Sequence, residues 1–315
     1  MPIFKIHHIT KYEYDRPVKE SMNNIMIFPF QSHEQETLQH DLTITDKPEV
    51  FSYTDYWGNK TGTFNVLRPH REMVIESKLL IRTLVPQDLQ LLPMTYTKDI
   101  VPHLDNDMQL IELMRPSHIK ALDQLQQYAS QLNHPDKSIS VIVEDTCSFI
   151  FNHFTYIKGI TNIETTVDEI LEKKAGVCQD FAHVMLELLR MMGIPARYVS
   201  GYICPNKNGM RGEGATHAWV EAYVPGYGWA GIDPTNNVWV TNHHVKLAVG
   251  RNFIDCTPVK GTFKGPARQS LSVYVSVGYE DGVTFEELTN VQLEKQSATD
   301  VPEIIIDTFA GQQQQ

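Results

Sequence analysis

The sequence predicts an α+β protein in which a small β-sandwich precedes a mixed unit of helices and strands. Three observations predict it. Residues 3 to about 85 carry period-two apolar alternation and turn residues, with no competing helical period. Helical spacing begins after Pro86 and holds to Met192. Strand patterning resumes from Arg197.

The first strand is read from Phe4, Ile6, His8, Thr10, Tyr12 and Tyr14, which alternate with other residues. Short apolar runs follow at Leu42–Thr45, Phe64–Leu67 and Val74–Leu84. Asp15-Arg-Pro17, Asp46-Lys-Pro48 and Trp57-Gly58-Asn59 supply the turns between runs. Many short strands separated by turns give a sandwich over residues 1–85. Residues 86–110, with Pro93 and Pro102, read as a linker. The second unit spans 111–280, and a polar tail, 281–315, ends in four glutamines and is expected to fray. Within the second unit, Ala121, Leu122, Leu125, Tyr128 and Leu132 mark a helix, and Ser138–Phe151 a less regular one. Phe181, Met185, Leu188, Leu189 and Met192 mark a third, which Gly193 and Pro195 end.

Composition narrows the function. The net charge is −11 with no basic stretch, which argues against nucleic acid as a partner. No run of 18 or more apolar residues is present, so no membrane span is expected. The first residues lack a basic segment followed by an apolar core, so no signal peptide is expected. The four cysteines, Cys147, Cys178, Cys204 and Cys256, form no CxxC pair. Together these point to free thiols in a cytoplasmic setting.

The chemistry concentrates in three places. Cys178 falls at the start of the third helix, where unpaired backbone N–H groups favour a thiolate by only ~0.3–1 kcal/mol. An imidazole nearby has to supply most of the activation. His217 lies in the strand-like run His217-Ala-Trp219-Val-Glu221-Ala-Tyr223-Val. Pro225-Gly-Tyr-Gly228 turns the chain, and Trp229-Ala-Gly231-Ile-Asp233-Pro234 returns as a hairpin partner. Asp233 can then meet His217 directly or diagonally, and the pre-proline position keeps it extended. A thiol, a base and a carboxylate to orient the base are what acyl chemistry at an amide requires. Each has an ordinary alternative: a packed cysteine, a hydrogen-bonded strand histidine and an Asp-Pro turn. Their occurrence together, in order and on suitable elements, favours the catalytic reading. The backbone N–H of Cys178 is the natural oxyanion donor.

At these residues the chain resembles the bacterial transglutaminase-like cysteine protease family. The blocks that carry the resemblance are Gly176-Val-Cys178-Gln-Asp180-Phe-Ala-His183, Gly193-Ile-Pro195-Ala-Arg197-Tyr-Val-Ser-Gly201-Tyr, His217-Ala-Trp219-Val-Glu221 and Gly228-Trp229 through Asp233-Pro234-Thr235. Tyr12-Glu-Tyr14, Pro17-Val18, Asp55 and Trp57-Gly58-Asn59 look like the β-rich domain that precedes such cores. The resemblance covers about residues 3 to 280. It implies a papain-like, transglutaminase-like core behind a β-sandwich. It also implies Cys178 as nucleophile, His217 as acid–base and Asp233 as orienter. Lys174 stands where the family often has arginine.

Other residues rank below these. Tyr156 is a second oxyanion candidate, with a core aromatic as the alternative. Trp219 and Trp229 are candidates to line a substrate cleft or to pack the core. His183 leaves the face of Cys178 and is expected to make a structural hydrogen bond; Asp180 is expected to cap the helix. His243-His244 has no further ligand at metal spacing and reads as a surface loop. The expected activity is cleavage of a peptide or carboxamide bond through a thioester, with no metal or organic cofactor. The alternatives are isopeptide formation on a protein glutamine and a noncatalytic peptide-binding module.

Overall fold

The computed structural model describes residues 1–84, 93–105, 107–204, 209–212 and 216–282, and the backbone of 284–293 and 304–305. The N-terminal region contributes β1 (Ile3–Val18), β2 (Glu20–Ile25), β3 (Gln35–Ile44), β4 (Phe51–Thr54), β5 (Lys60–Val66) and β6 (His70–Thr83). A helical stretch follows: a 3-10 turn at Thr97–Ile100, then α1 (Val101–Leu104), α2 (Met108–Met114), α3 (Leu122–Leu132) and α4 (Ile139–His153). Next come β7 (Thr155–Tyr156), α5 (Val167–Lys173), β8 (Ala175–Gly176) and α6 (Cys178–Met191). Strands then run to the end of the description: β9 (Ala196–Ile203), β10 (Thr216–Val224), β11 (Gly228–Asp233), β12 (Val238–Trp239), β13 (His244–Gly250), β14 (Val259–Lys264), β15 (Gln269–Tyr279), β16 (Thr284–Leu293) and β17 (Ile304–Ile305).

The alternation in β1 places Phe4, Ile6, His8, Thr10, Tyr12 and Tyr14 on the buried face. Two five-stranded sheets, β16-β15-β1-β6-β3 and β17-β14-β2-β5-β4, share one apolar core that includes Phe4, Ile25, Phe64, Met73, Phe263 and Val275. The sandwich is therefore completed from both ends of the chain. β15 pairs along β1 from Phe4↔Tyr279 to Tyr14↔Gln269, and β14 pairs along β2. Both strands lie inside the 111–280 span that the sequence assigns to the second unit. Residues 284–293 of the expected tail extend the same sheet against β15. The described part of the expected linker holds the 3-10 turn, α1 and the start of α2; residues 86–92 lie outside the description.

The second layer is the antiparallel sheet β12-β11-β10-β9-β13. α6 crosses its inner face and is itself covered by α2, α3, α4 and α5. The sequence marks one apolar face on α6, yet the helix is buried nearly all round. Its polar residues are accommodated by pairing: Arg190 Nη1 lies 3.0 Å from Glu187 Oε1, and Nη2 donates to the Ala196 carbonyl. The outer face of this sheet joins the sandwich core through Tyr202, Cys204, Val245 and Leu247. Hydrogen bonds cross the same boundary. Tyr202 Oη lies 2.6 Å from His8 Nδ1, and the Asn59 amide exchanges bonds of 2.7 and 2.8 Å with the backbone of Val249.

Candidate active site

The start of α6 is set by a carboxylate that folds back on it. Asp180 accepts from the Val177 N–H at 2.7 Å and from the Thr161 hydroxyl at 2.6 Å through the same oxygen, Oδ2. Burial pushes its carboxyl upward, while these two donors pull the other way. Cys178 follows directly as the first helical residue and is fully buried. The glycine at 176 is explained here. A Cβ at this position would overlap the Asp180 side chain, so the cap itself requires glycine here.

β10 carries His217 near its start and pairs with β9 at Gly201. The β10–β11 register, Val220↔Ile232 through Val224↔Gly228, sets Asp233 one step further, opposite Trp219 and diagonal to His217. The diagonal geometry brings His217 Nε2 to 2.9 Å from Asp233 Oδ2. Cys178 lies close enough to His217 to favour its charged form. With Nε2 committed to Asp233, Nδ1 is the nitrogen left for the sulfur. Burial opposes charge on His217, but Asp233 and Cys178 outweigh it and raise the imidazole to about 10. Asp233, despite its own burial, is held well below the usual carboxylate range by His217 and His244.

Asp233 is fully enclosed and richly bonded. Besides His217, Oδ2 accepts from Asn236 Nδ2 at 2.7 Å, and Oδ1 accepts from the Thr235 N–H at 2.9 Å. Cys147 Sγ lies 3.5 Å from the Asp233 carbonyl. Gly212 lies over the imidazole. A Cβ on Gly212 (φ +81°) would stand 2.7 Å from His217 Nδ1. The turn holding Gly212 is tied down by Asn236 Oδ1, which accepts the Arg211 N–H at 2.7 Å.

The remaining sequence-predicted residues separate clearly. Tyr156 pairs with Gly176 across β7–β8, which fixes it beside the chain leading into Cys178. Its ring meets Phe181 edge-on, and the Arg211 guanidinium lies 5.8 Å above it. Trp219 is fully buried with Val199 and Val249, stacked 6.4 Å from the His217 ring. His183 accepts the Phe253 N–H through Nε2 at 3.2 Å, and burial lowers it to about 4. Arg197 pairs with Glu221 at 2.6 Å.

Two residues beside Asp233 escaped the sequence reading. Asn236 has a faint local signal, three residues beyond Asp233. His244 has none. It is not in a surface loop but buried at the start of β13, with Nε2 3.5 Å from Asp233 Oδ2. Among the described residues, no group of three or more His, Cys, Asp or Glu side chains is arranged to hold a metal ion.

Residues 126–234 match the family model of the transglutaminase-like superfamily, and residues 4–82 match that of the bacterial transglutaminase-like N-terminal region. An uncharacterised protein of Mycobacterium tuberculosis is 31% identical over 307 residues, covering 90% of this chain and 93% of its own length. The chain belongs to the transglutaminase-like superfamily. This transglutaminase-like chain is also 35% identical over 97 residues to a protein-glutamine gamma-glutamyltransferase of Pseudomonas aeruginosa, 28% of this chain and 14% of that one. A solved structure from Cytophaga hutchinsonii, assigned as a cysteine protease, matches with a TM-score of 0.68 at 24% identity and covers 96% of both chains. The transglutaminase-like core and its β-rich N-terminal region are therefore shared as one fold.

Proposed function

We propose that this chain is a thiol hydrolase that opens a peptide or carboxamide bond through a thioester. The observation that carries the reading is the buried line from Cys178 to His217 to Asp233, with His217 Nε2 2.9 Å from the carboxylate. In this scheme His217 takes the Cys178 proton, and the sulfur attacks the amide carbon. The oxyanion is received by the backbone N–H of Cys178, with the Tyr156 hydroxyl as second donor. The imidazolium then protonates the departing amine, and water, deprotonated by His217, releases the acid and restores the thiol. Asp233 selects the imidazole tautomer and stabilises its charged form. The substrate class that fits such a site is a peptide or a protein side-chain amide.

A second reading is transfer of the acyl group to an amine, supported by the likeness to the Pseudomonas glutamyltransferase. One experiment separates the readings. Full-length protein is mixed with glutamine-containing peptides, with and without a primary amine, quenched in acid, and analysed by mass spectrometry. Hydrolysis predicts an acyl adduct on Cys178 and a free acid product even when amine is present. A dominant amine conjugate would favour transfer. No adduct and no product, with binding of the intact peptide, would leave only the noncatalytic module. Cys178→Ser should abolish the adduct in either catalytic case.

A further inference from the structure

Asp233 faces two imidazoles, and the catalytic scheme uses only one. His244 approaches Oδ2, the same oxygen that accepts the hydrogen bond from His217 Nε2. Its other nitrogen, Nδ1, lies 3.3 Å from the Thr241 N–H and accepts from it. An acceptor at Nδ1 places the ring hydrogen of the neutral form on Nε2, aimed at the carboxylate. Burial and the neighbouring His217 hold His244 below its ordinary value, against the pull of Asp233. In its neutral form the ring thus offers an Nε2–H toward Asp233. Its Nε2–Oδ2 separation of 3.5 Å is long for a hydrogen bond. Contacts of this kind in catalytic sites tighten when charge develops. Trp219 meets His244 edge-on at 5.2 Å and stacks on His217, so one indole fixes both rings around the carboxylate.

We propose that His244 is a positioning residue that holds Asp233 in line with His217. The inference rests on the triad reading above. A neutral donor suits the task. It shares the negative charge of Asp233 without placing a second cation beside the His217 imidazolium, which a charged partner would destabilise. It also restrains rotation of a carboxylate whose Oδ2 already serves His217 and Asn236. Loss of the donor frees the carboxylate to turn toward Asn236 and Thr235, and His217 loses part of its support.

The test compares wild type, His244→Leu and His244→Gln in the full chain. The readout is the rate of Cys178 alkylation by iodoacetamide across pH, mapped by peptide mass spectrometry, with the unfolding midpoint measured in parallel. His244→Leu should slow alkylation at about pH 6 by about tenfold, equivalent to ~1.4 kcal/mol of lost support for the imidazolium. It should also move the inflection belonging to His217 to lower pH. His244→Gln, which keeps an N–H donor, should stay much closer to wild type than His244→Leu. Superimposable wild-type and His244→Leu profiles would overturn the proposal. So would equal losses in both variants that track the unfolding midpoint. His217→Ala separates the two levels: if it leaves the Cys178 profile of otherwise wild-type protein unchanged, the triad reading falls, and this inference with it.

Discussion

Asp233 is the residue on which the buried charges depend. Its two oxygens serve His217, Asn236 and the Thr235 N–H, and the charge is compensated by an imidazole raised to about 10. The stability contributed by His217 is fully present below its unfolded value of 6.5 and is lost as pH rises through about 10. Asp233, lowered from 3.8, contributes above that value and loses its contribution only as pH falls below it. The pair is therefore complete between 3.8 and 6.5 and fades toward 10. Removing one partner of a buried pair costs ~3 kcal/mol or more. Asp233→Asn is expected to cost that much near the middle of the window, with the difference from wild type shrinking toward pH 10. Urea unfolding of both proteins across pH measures it; a difference that stays constant or grows as pH rises would contradict the assignment. Tyr156 offers a second check. Its place beside Gly176 predicts that Tyr156→Phe lowers kcat by about 10²-fold, the loss of one oxyanion donor, at unchanged KM. A rise in KM alone would make Tyr156 a substrate contact.

At the level of elements, the site is assembled by a helix start and a strand pair, and these differ in how far the sequence foretells them. The entry to α6 is written locally. Gly176, Cys178 and Asp180 lie within one turn, and Gly193, at φ +75°, ends the helix where the sequence places its stop. The β10–β11 hairpin is local too, so its turn and the approach of Asp233 to His217 were legible. The choice between direct and diagonal facing was not, because register depends on the pairing of Val220 with Ile232. His244 was out of reach for a stronger reason. It arrives through β13, which meets β9 and not β10 or β11, so no spacing relates it to Asp233. Trp219 belongs to this level, since it is wedged between the rings of His217 and His244 with no exposed surface. Trp219→Ala should cost ~3–5 kcal/mol, the usual loss for a buried aromatic. Trp219→Phe should recover most of that stability and should lower kcat without raising KM. A selective rise in KM with normal stability would instead assign Trp219 to substrate binding.

For the molecule as a whole, the order of elements along the chain conceals how its two parts are joined. The period-two signal in β1 identifies a strand but says nothing of its partners. Those partners, β6 and β15, come from residues near 80 and near 270. A boundary drawn between 85 and 111 therefore cuts through one sandwich, since β14 and β15 complete sheets begun by β1 and β2. The apolar contact is continuous as well: Tyr202, Val245 and Leu247 of the sheet that carries His217 and Asp233 share a core with Phe4, Ile6 and Val275. A fragment of residues 111–280 would leave two long strands unpaired and that face open to water. Open edges and a contiguous apolar face promote association. Such a fragment is expected to aggregate when expressed alone. Residues 1–84 supplied as a separate chain should restore a soluble complex with Cys178 reactive toward iodoacetamide. Size-exclusion chromatography and alkylation kinetics of the fragment, the complex and the full chain measure this directly. A monomeric 111–280 fragment with full Cys178 reactivity would show that the N-terminal strands are dispensable for the fold and form a separable domain.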